Sequence, residues 1–279
     1  MMTAQPNKMK KGKKLNQAAR ADKYDLYQQS VQSPEFESDF MAMVYKKSYK
    51  RDATILREDF CGTHAVCCEW LRKGKADRQA WGVDLDPEPL AWGTKHNQEK
   101  LSPGQKERLH LVEGNVLTAA TPTADIIAAQ NFSFWIFKTR DDLRTYFSKV
   151  FRNLNNEGVL VLDMMGGAEA ITDDNEEETE HDNFTYVWDQ DYFDPVTHDC
   201  VFKIHFRFDD GSELKNAFTY KWRLWTLPEV QEVLKEAGFN KVEVYWEGSD
   251  EDGEGNGKFT AVDRGECDPC WVSYVVATK

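Results

Sequence analysis

The chain has 279 residues, 48 of them acidic and 35 basic, for a net charge of −13. Such a surface repels phosphate backbones at long range, which argues against nucleic acid as a partner. No apolar run approaches the ~20 residues that span a bilayer, so no membrane partner is expected. The six cysteines are not spaced as a secreted disulfide framework, which points to a reducing cytoplasm.

Residues 1–21 carry lysines and arginines, no acids and almost no large apolar side chains. They are expected to form a disordered basic tail, without the apolar middle of a secretory signal. Residues 22–50 bring in tyrosines, Tyr24 and Tyr27 first. At residues 54–65 an apolar pair (Ile55, Leu56) runs into Glu58 and a tight Cys61-Gly62-Thr63 turn. Ala65, Val66, Cys67, Trp70 and Leu71 follow at helical spacing. A strand that ends in a small-residue turn and opens a helix aims backbone N–H groups at a ligand. A second strand closes on Asp84, the position where an acid holds ribose hydroxyls in nucleotide-binding units.

Residues 109–116 read as a third strand running into Gly114-Asn115, and residues 124–130 as a buried central strand ending at Gln130. Asn131-Phe132-Ser133-Phe134 lies just past that end, where ligands bind in open α/β sheets. Residues 139–142 resemble a capping box, and the helix they open carries Leu143, Tyr146, Phe147, Val150 and Leu154 on one face. Residues 158–164 are another apolar strand.

The pattern then changes. Residues 166–183 are acidic and aperiodic and read as a mobile loop. Residues 184–225 alternate apolar and polar, with Asp209-Asp210-Gly211-Ser212 marking a hairpin. Thr226-Leu227-Pro228-Glu229 caps a helix that Gly238 stops. A strand at 241–247, an acidic glycine-rich loop at 248–257 and a last strand at 271–278 complete the chain. Cys267 and Cys270 form one C-x-x-C without a second ligand pair nearby; they read as a loop, and no metal site is expected.

Taken in order, the segments between residues 50 and 165 resemble the nucleoside-binding core of class I S-adenosylmethionine (SAM)-dependent methyltransferases. The family's acid-x-Gly-x-Gly-x-Gly stands here as Glu58-Asp59-Phe60-Cys61-Gly62-Thr63-His64, with Gly62 alone kept. The resemblance implies an α/β fold: a Rossmann-like, seven-stranded, mostly parallel sheet with an antiparallel final strand, plus an inserted antiparallel β lid. It implies a cap and SAM-binding core over 22–165, an acidic loop and lid over 166–225, and a return to the core sheet over 226–279. It implies cofactor contacts from Glu58, Phe60, Cys61, Gly62, Thr63, His64, Asp84, Leu85, Asn115, Val116 and Gln130. Asn115 offers an acceptor for the adenine amine and a donor for a ring nitrogen.

On the acceptor side, the family places a tyrosine-bearing helical cap where Tyr24 and Tyr27 stand, although these rings could equally pack on the sheet. The segment at 131–134 resembles the Asn-Pro-Pro-aromatic motif of amino-methyltransferases. That assigns the catalytic, substrate-orienting role to Asn131 and an acceptor contact to Phe134; turn capping and core packing are the alternatives. Trp222 and Arg223 reach the pocket from the lid or form the lid's own core. The expected function is transfer of a methyl group from SAM, by in-line displacement, to a small molecule through nitrogen or oxygen. The protein aligns the acceptor and excludes water. A protein or RNA methyltransferase, or a SAM- or nucleotide-binding protein without catalysis, remain the other readings. The oligomeric state is not readable.

Overall fold

The computed structural model describes residues 15–250 and 255–279. Asn16 caps α1 (Gln17–Arg20) by accepting from the Ala19 amide, and Asp22 caps α2 (Lys23–Val31). α3 (Pro34–Tyr49) starts on a proline, whose missing N–H costs nothing in a first turn. Phe40, Met41, Val44 and Tyr45 form its inward stripe. The expected disordered tail is corrected here. Residues 1–14 lie outside the described residues, but 17–20 are helical and anchored. The Gln17 amide donates to Asp210 Oδ2 at 2.8 Å, and the Asp210 amide donates to Gln17 Oε1 at 2.9 Å.

Strand and helix then alternate: β1 (Ile55–Asp59), α4 (Ala65–Lys73), β2 (Gln79–Asp84), α5 (Pro87–His96), the short α6 (Pro103–Lys106), β3 (Leu109–Glu113), β4 (Ala124–Ala129), α7 (Arg140–Asn153) and β5 (Leu154–Gly166). These strands pair in parallel. β4 is buried at every position, as befits a strand read as a continuous apolar run and covered on both faces. After β5 come β6 (Asn175–His181), β7 (Phe184–Phe193), β8 (Asp199–Arg207), β9 (Glu213–Arg223), α8 (Leu227–Glu236), β10 (Lys241–Ser249), β11 (Gly255–Val262) and β12 (Trp271–Thr278).

Among the described residues the central sheet has eight strands, in the order β11-β10-β12-β5-β4-β1-β2-β3. The seven expected strands are present, and β12 runs antiparallel to β5 and β10. The eighth, β11, adds an edge where only a loop was expected: Gly255 already pairs with Ser249, and Phe259 with Glu247. Residues 251–254 of that loop lie outside the described residues. α7 and α8 pack on one face of the sheet, and α3 and α4 on the other.

The inserted lid is a four-stranded antiparallel sheet, β6-β7-β8-β9. The mobile acidic loop expected over 166–183 is corrected as well, because its second half is the lid's edge strand β6, paired with β7. Its glutamates are exposed, Glu177 at the mouth of a cavity, and Arg207 of β8 donates to Glu176 at 2.6 Å and also bonds Glu178. An acidic row partly neutralised by an arginine makes a charged edge that resists pairing with other chains.

Candidate active site

The first half of the site is the turn after β1. Phe60, Gly62 and His64 all take positive φ, at 60°, 50° and 46°. Glycine enters that region freely, whereas other residues cost about 1–3 kcal/mol each. Asp84, at the end of neighbouring β2, anchors the turn. Its Oδ2 accepts from the Gly62 amide at 2.7 Å, and its Oδ1 from the Asp86 amide at 2.9 Å. Glu58 works from below: its Oε2 accepts from the Cys67 amide at 3.1 Å, in the first turn of α4. Burial pushes the Glu58 carboxyl up to about 7. His64 lies fully buried beside Gly93 of α5, where a Cβ on Gly93 would come within 2.2 Å of the Thr63 carbonyl oxygen. Burial holds the imidazole down at about 4, so it is neutral at physiological pH. Above this turn opens a cavity of 300 Å³ lined by Tyr24, Tyr27, Phe60, Gly62, Thr63 and Asp84, among others.

The second half is the turn after β4. Asn131 and Phe132 both sit at φ 55°. Asp163 of neighbouring β5 accepts from both amides, at 2.8 and 3.0 Å. Charge-assisted bonds of this kind offset the backbone strain. Burial raises the Asp163 carboxyl to about 6, against the pull of those amides. Ser133 Oγ donates to the Gln130 carbonyl at 2.6 Å and closes the turn. Over it lies a larger cavity of 470 Å³, lined by Glu37, Phe132, Asp163 and Trp188, among others. Tyr27, Asn131, Tyr220 and Trp222 line both cavities, so the two spaces meet at these four side chains. Tyr220 stacks on Trp222 with ring centroids 4.3 Å apart.

The structure brings together many of the residues singled out from sequence. Tyr24, Tyr27, Phe60, Cys61, Gly62, Thr63, Asp84, Asn131 and Trp222 all line a cavity. Glu58 and His64 do not; they brace the turn from behind. Leu85 projects just past Asp84 and is 69% exposed. Asn115 lies exposed beyond β3, its Oδ1 accepting from the Leu117 amide at 2.9 Å. Val116 is buried, and its carbonyl accepts from Arg57 at 2.9 Å. Gln130 is buried with its Nε2 3.5 Å from the Val161 carbonyl, and its Oε1 has no partner.

Two expected acceptor contacts are displaced. Phe134 is fully buried against Phe147, because the positive-φ pair at 131–132 turns Phe132 toward the cavity instead. Arg223 is taken up by structure: it donates to the Lys138 carbonyl and to Glu229, both at 3.1 Å, and lies 3.8 Å over the Trp225 ring. Sequence reading missed Glu37, Asp163 and Tyr220. Signals existed. Asp163 is the one acid in an apolar strand, and Glu37 shares the helical stripe of Phe40, Met41 and Val44.

Glu176, Asp189 and His205 of the lid bring potential ligand atoms within 4.8 Å of one another. His205 Nδ1 accepts from the Asn216 amide at 2.7 Å, so the proton resides on Nε2 and points at Asp189 Oδ2, 3.0 Å away. The nitrogen facing the carboxylates is thus a donor rather than a metal ligand.

The smaller cavity suits SAM on its own terms. A Cβ placed on Gly62 meets nothing within 4 Å, so the space over the turn is open. A half-buried carboxylate stands at the strand end where ribose binds, and Leu85 offers a bare apolar surface beside it. Residues 59–162 match the family model described as a methyltransferase domain. The chain therefore carries a methyltransferase domain over these residues, the kind of domain that uses SAM.

A protein provisionally named as a methyltransferase, YqeM of Bacillus subtilis (strain 168), is 27% identical over 191 residues, covering 64% of this chain and 70% of the relative. A SAM-dependent methyltransferase from Clostridium acetobutylicum ATCC 824 superposes with a TM-score of 0.65 at 17% identity, covering 91% of this chain and 96% of the other. CalS10, an amino pentose methyltransferase from Micromonospora echinaspora, superposes with a TM-score of 0.63 at 17% identity, covering 96% and 99%. Among the described residues no helix is long and apolar enough to cross a membrane.

Proposed function

We propose that the enzyme methylates a small molecule, through nitrogen or oxygen, held in the 470 Å³ cavity while SAM occupies the 300 Å³ cavity. The observation that carries this reading is the shared wall of Tyr27, Asn131, Tyr220 and Trp222, which gives two separate ligands one meeting point. The volumes are those of small-molecule sites, concave and mostly apolar. CalS10, which shares the fold, is an amino pentose methyltransferase, and an amino pentose is a small molecule.

In this reading Asp84 holds the ribose hydroxyls, Leu85 and Asn115 meet the adenine, and Tyr24 and Tyr27 close over the cofactor. Asn131 orients the acceptor, because its positive-φ backbone is fixed by Asp163. Tyr220 and Trp222 exclude water from the meeting point. SAM supplies a methyl group on a sulfonium that leaves as a neutral thioether. The lid, over residues 166–225, shapes the acceptor cavity through Tyr186, Trp188 and Ile204. All six cysteines are free thiols, which suits a cytoplasmic enzyme.

Calorimetry with S-adenosylhomocysteine (SAH), with NADH as control, tests the cofactor half. Micromolar binding of SAH alone is expected; its absence would overturn the reading. Trp188→Ala tests the division of labour, since Trp188 lines the larger cavity only. It should leave SAH affinity unchanged and raise the acceptor KM.

A further inference from the structure

We infer that the methyl acceptor carries a cationic amine and that Glu37 holds this ammonium group in the larger cavity, as a recognition contact and not as the atom that is methylated. This rests on the small-molecule reading above and narrows it. The charged residues lining the cavity are Glu37, Asp163 and Glu177; no lysine, arginine or histidine joins them among the described residues. Most of the rest of the wall is aromatic, with Phe36, Tyr186, Trp188 and Tyr274 among its rings. Acids set among aromatic faces attract organic cations and repel anions.

Among the described residues of that wall, one buried carboxyl has an oxygen without a hydrogen-bond partner. Both oxygens of Asp163 are occupied by the Asn131 and Phe132 amides. Glu37 is 5% exposed, and its Oε2 has no hydrogen-bond partner. A buried carboxylate with a free oxygen is expensive unless a cation pairs with it. Neither Glu37 nor Asp163 lines the cofactor cavity, so the sulfonium of SAM does not account for them.

The titration of Glu37 agrees with this role. Burial raises its carboxyl to about 8, and the charges of Asp163 on β5 and Glu58 on β1 push the same way, while the Ser33 amide at the start of α3 opposes them. Tyr274 on β12, Glu177 on β6, Tyr186 on β7 and the Cys270 thiol also face the cavity. Asp163, at about 6, is already ionised at pH 7. An arriving ammonium ion therefore has one proton to displace, the one on Glu37.

Benzylamine, benzyl alcohol and benzoate share a shape and differ in charge, and calorimetry on the SAH-loaded protein separates them. Benzylamine should bind at least about tenfold more tightly than benzyl alcohol, the scale of one charge-assisted hydrogen bond, and benzoate most weakly. Measured at pH 7 in two buffers of different ionisation enthalpy, benzylamine should release roughly 0.9 proton per molecule bound. Glu37→Gln should abolish both the preference and the release while SAH still binds.

Benzoate or benzyl alcohol binding as tightly as benzylamine overturns the inference, as does proton release that persists in Glu37→Gln. The wild-type series decides the matter even if that variant does not fold. If SAH fails to bind but the unloaded protein keeps the amine preference, the transferase reading falls and the amine site stands. If SAH binds without an amine preference, only the inference falls.

Discussion

The turn after β1 and the turn after β4 both hold residues other than glycine at positive φ. In both, a carboxylate at the end of the next strand accepts the turn's amides: Asp84 takes one from Gly62, and Asp163 takes those of Asn131 and Phe132. The surroundings then separate them. Asp84 is half-buried at the rim of the cofactor cavity, with solvent close by, whereas Asp163 is buried and faces a second carboxyl, Glu37. One device thus serves two ends. Both carboxylates spend both oxygens on backbone amides, but the one at the rim stays open to solvent and so, on the proposed reading, to a sugar, whereas the interior one is closed off and ligand binding is proposed for its neighbour.

The largest effect should come from Asp163→Ala. It orphans two amides at about 1–3 kcal/mol each, for a loss of roughly 2–6 kcal/mol in urea denaturation. A loss below about 1 kcal/mol would mean that the second turn needs no such anchor.

Next is Glu37, the group that makes the two surroundings unlike. Its carboxyl ordinarily titrates at 4.5 and here at about 8, so the folded state keeps its proton longer than the unfolded state. Wild-type stability should therefore fall as pH rises from 4.5 through about 8. Glu37→Gln should be more stable than wild type above pH 8, by on the order of 3 kcal/mol, and indistinguishable from it below pH 4. Parallel stability curves for the two proteins would remove Glu37 as the source of the contrast.

Asp84→Ala should cost folding only about 1 kcal/mol but weaken SAH binding by roughly 10- to 100-fold, because a partly hydrated acid matters more to its ligand than to its turn. Unchanged affinity in calorimetry would show that the rim acid is structural after all. Smallest is Asn115→Ala. The side chain is exposed and bonds only its own loop, so stability should move by less than about 0.5 kcal/mol. SAH affinity should fall less than for Asp84→Ala.

The same contrast explains what could be read before any coordinates. The rim turn was legible because a strand, a small-residue turn, an amphipathic helix and a strand-ending acid follow one another in sequence. The interior turn was only half legible. Asn131 announced itself at a strand end, but its anchor lies 32 residues on, in β5, and the positive φ at Phe132 reverses which aromatic faces the cavity. Phe134 was therefore the natural choice and the core its actual place. Glu37 was hidden in a helix whose stripe reads as ordinary packing. β6 escaped because an edge strand exposed on both faces carries no apolar alternation: its seven residues are four glutamates with Asn175, Thr179 and His181.

The helix that lines the smaller cavity also grips the lid. Tyr24 and Tyr27 of α2 pack on Phe218 of β9, with ring centroids 5.8 and 4.8 Å apart, and Gln28 bonds Thr63 in the rim turn. α1 fastens the same helical arm to the far hairpin at Asp210. Neither cavity can be uncovered without disturbing the other's cover. On the proposed reading, spent cofactor and methylated product would leave through one door, and a slow opening of it would hold back both.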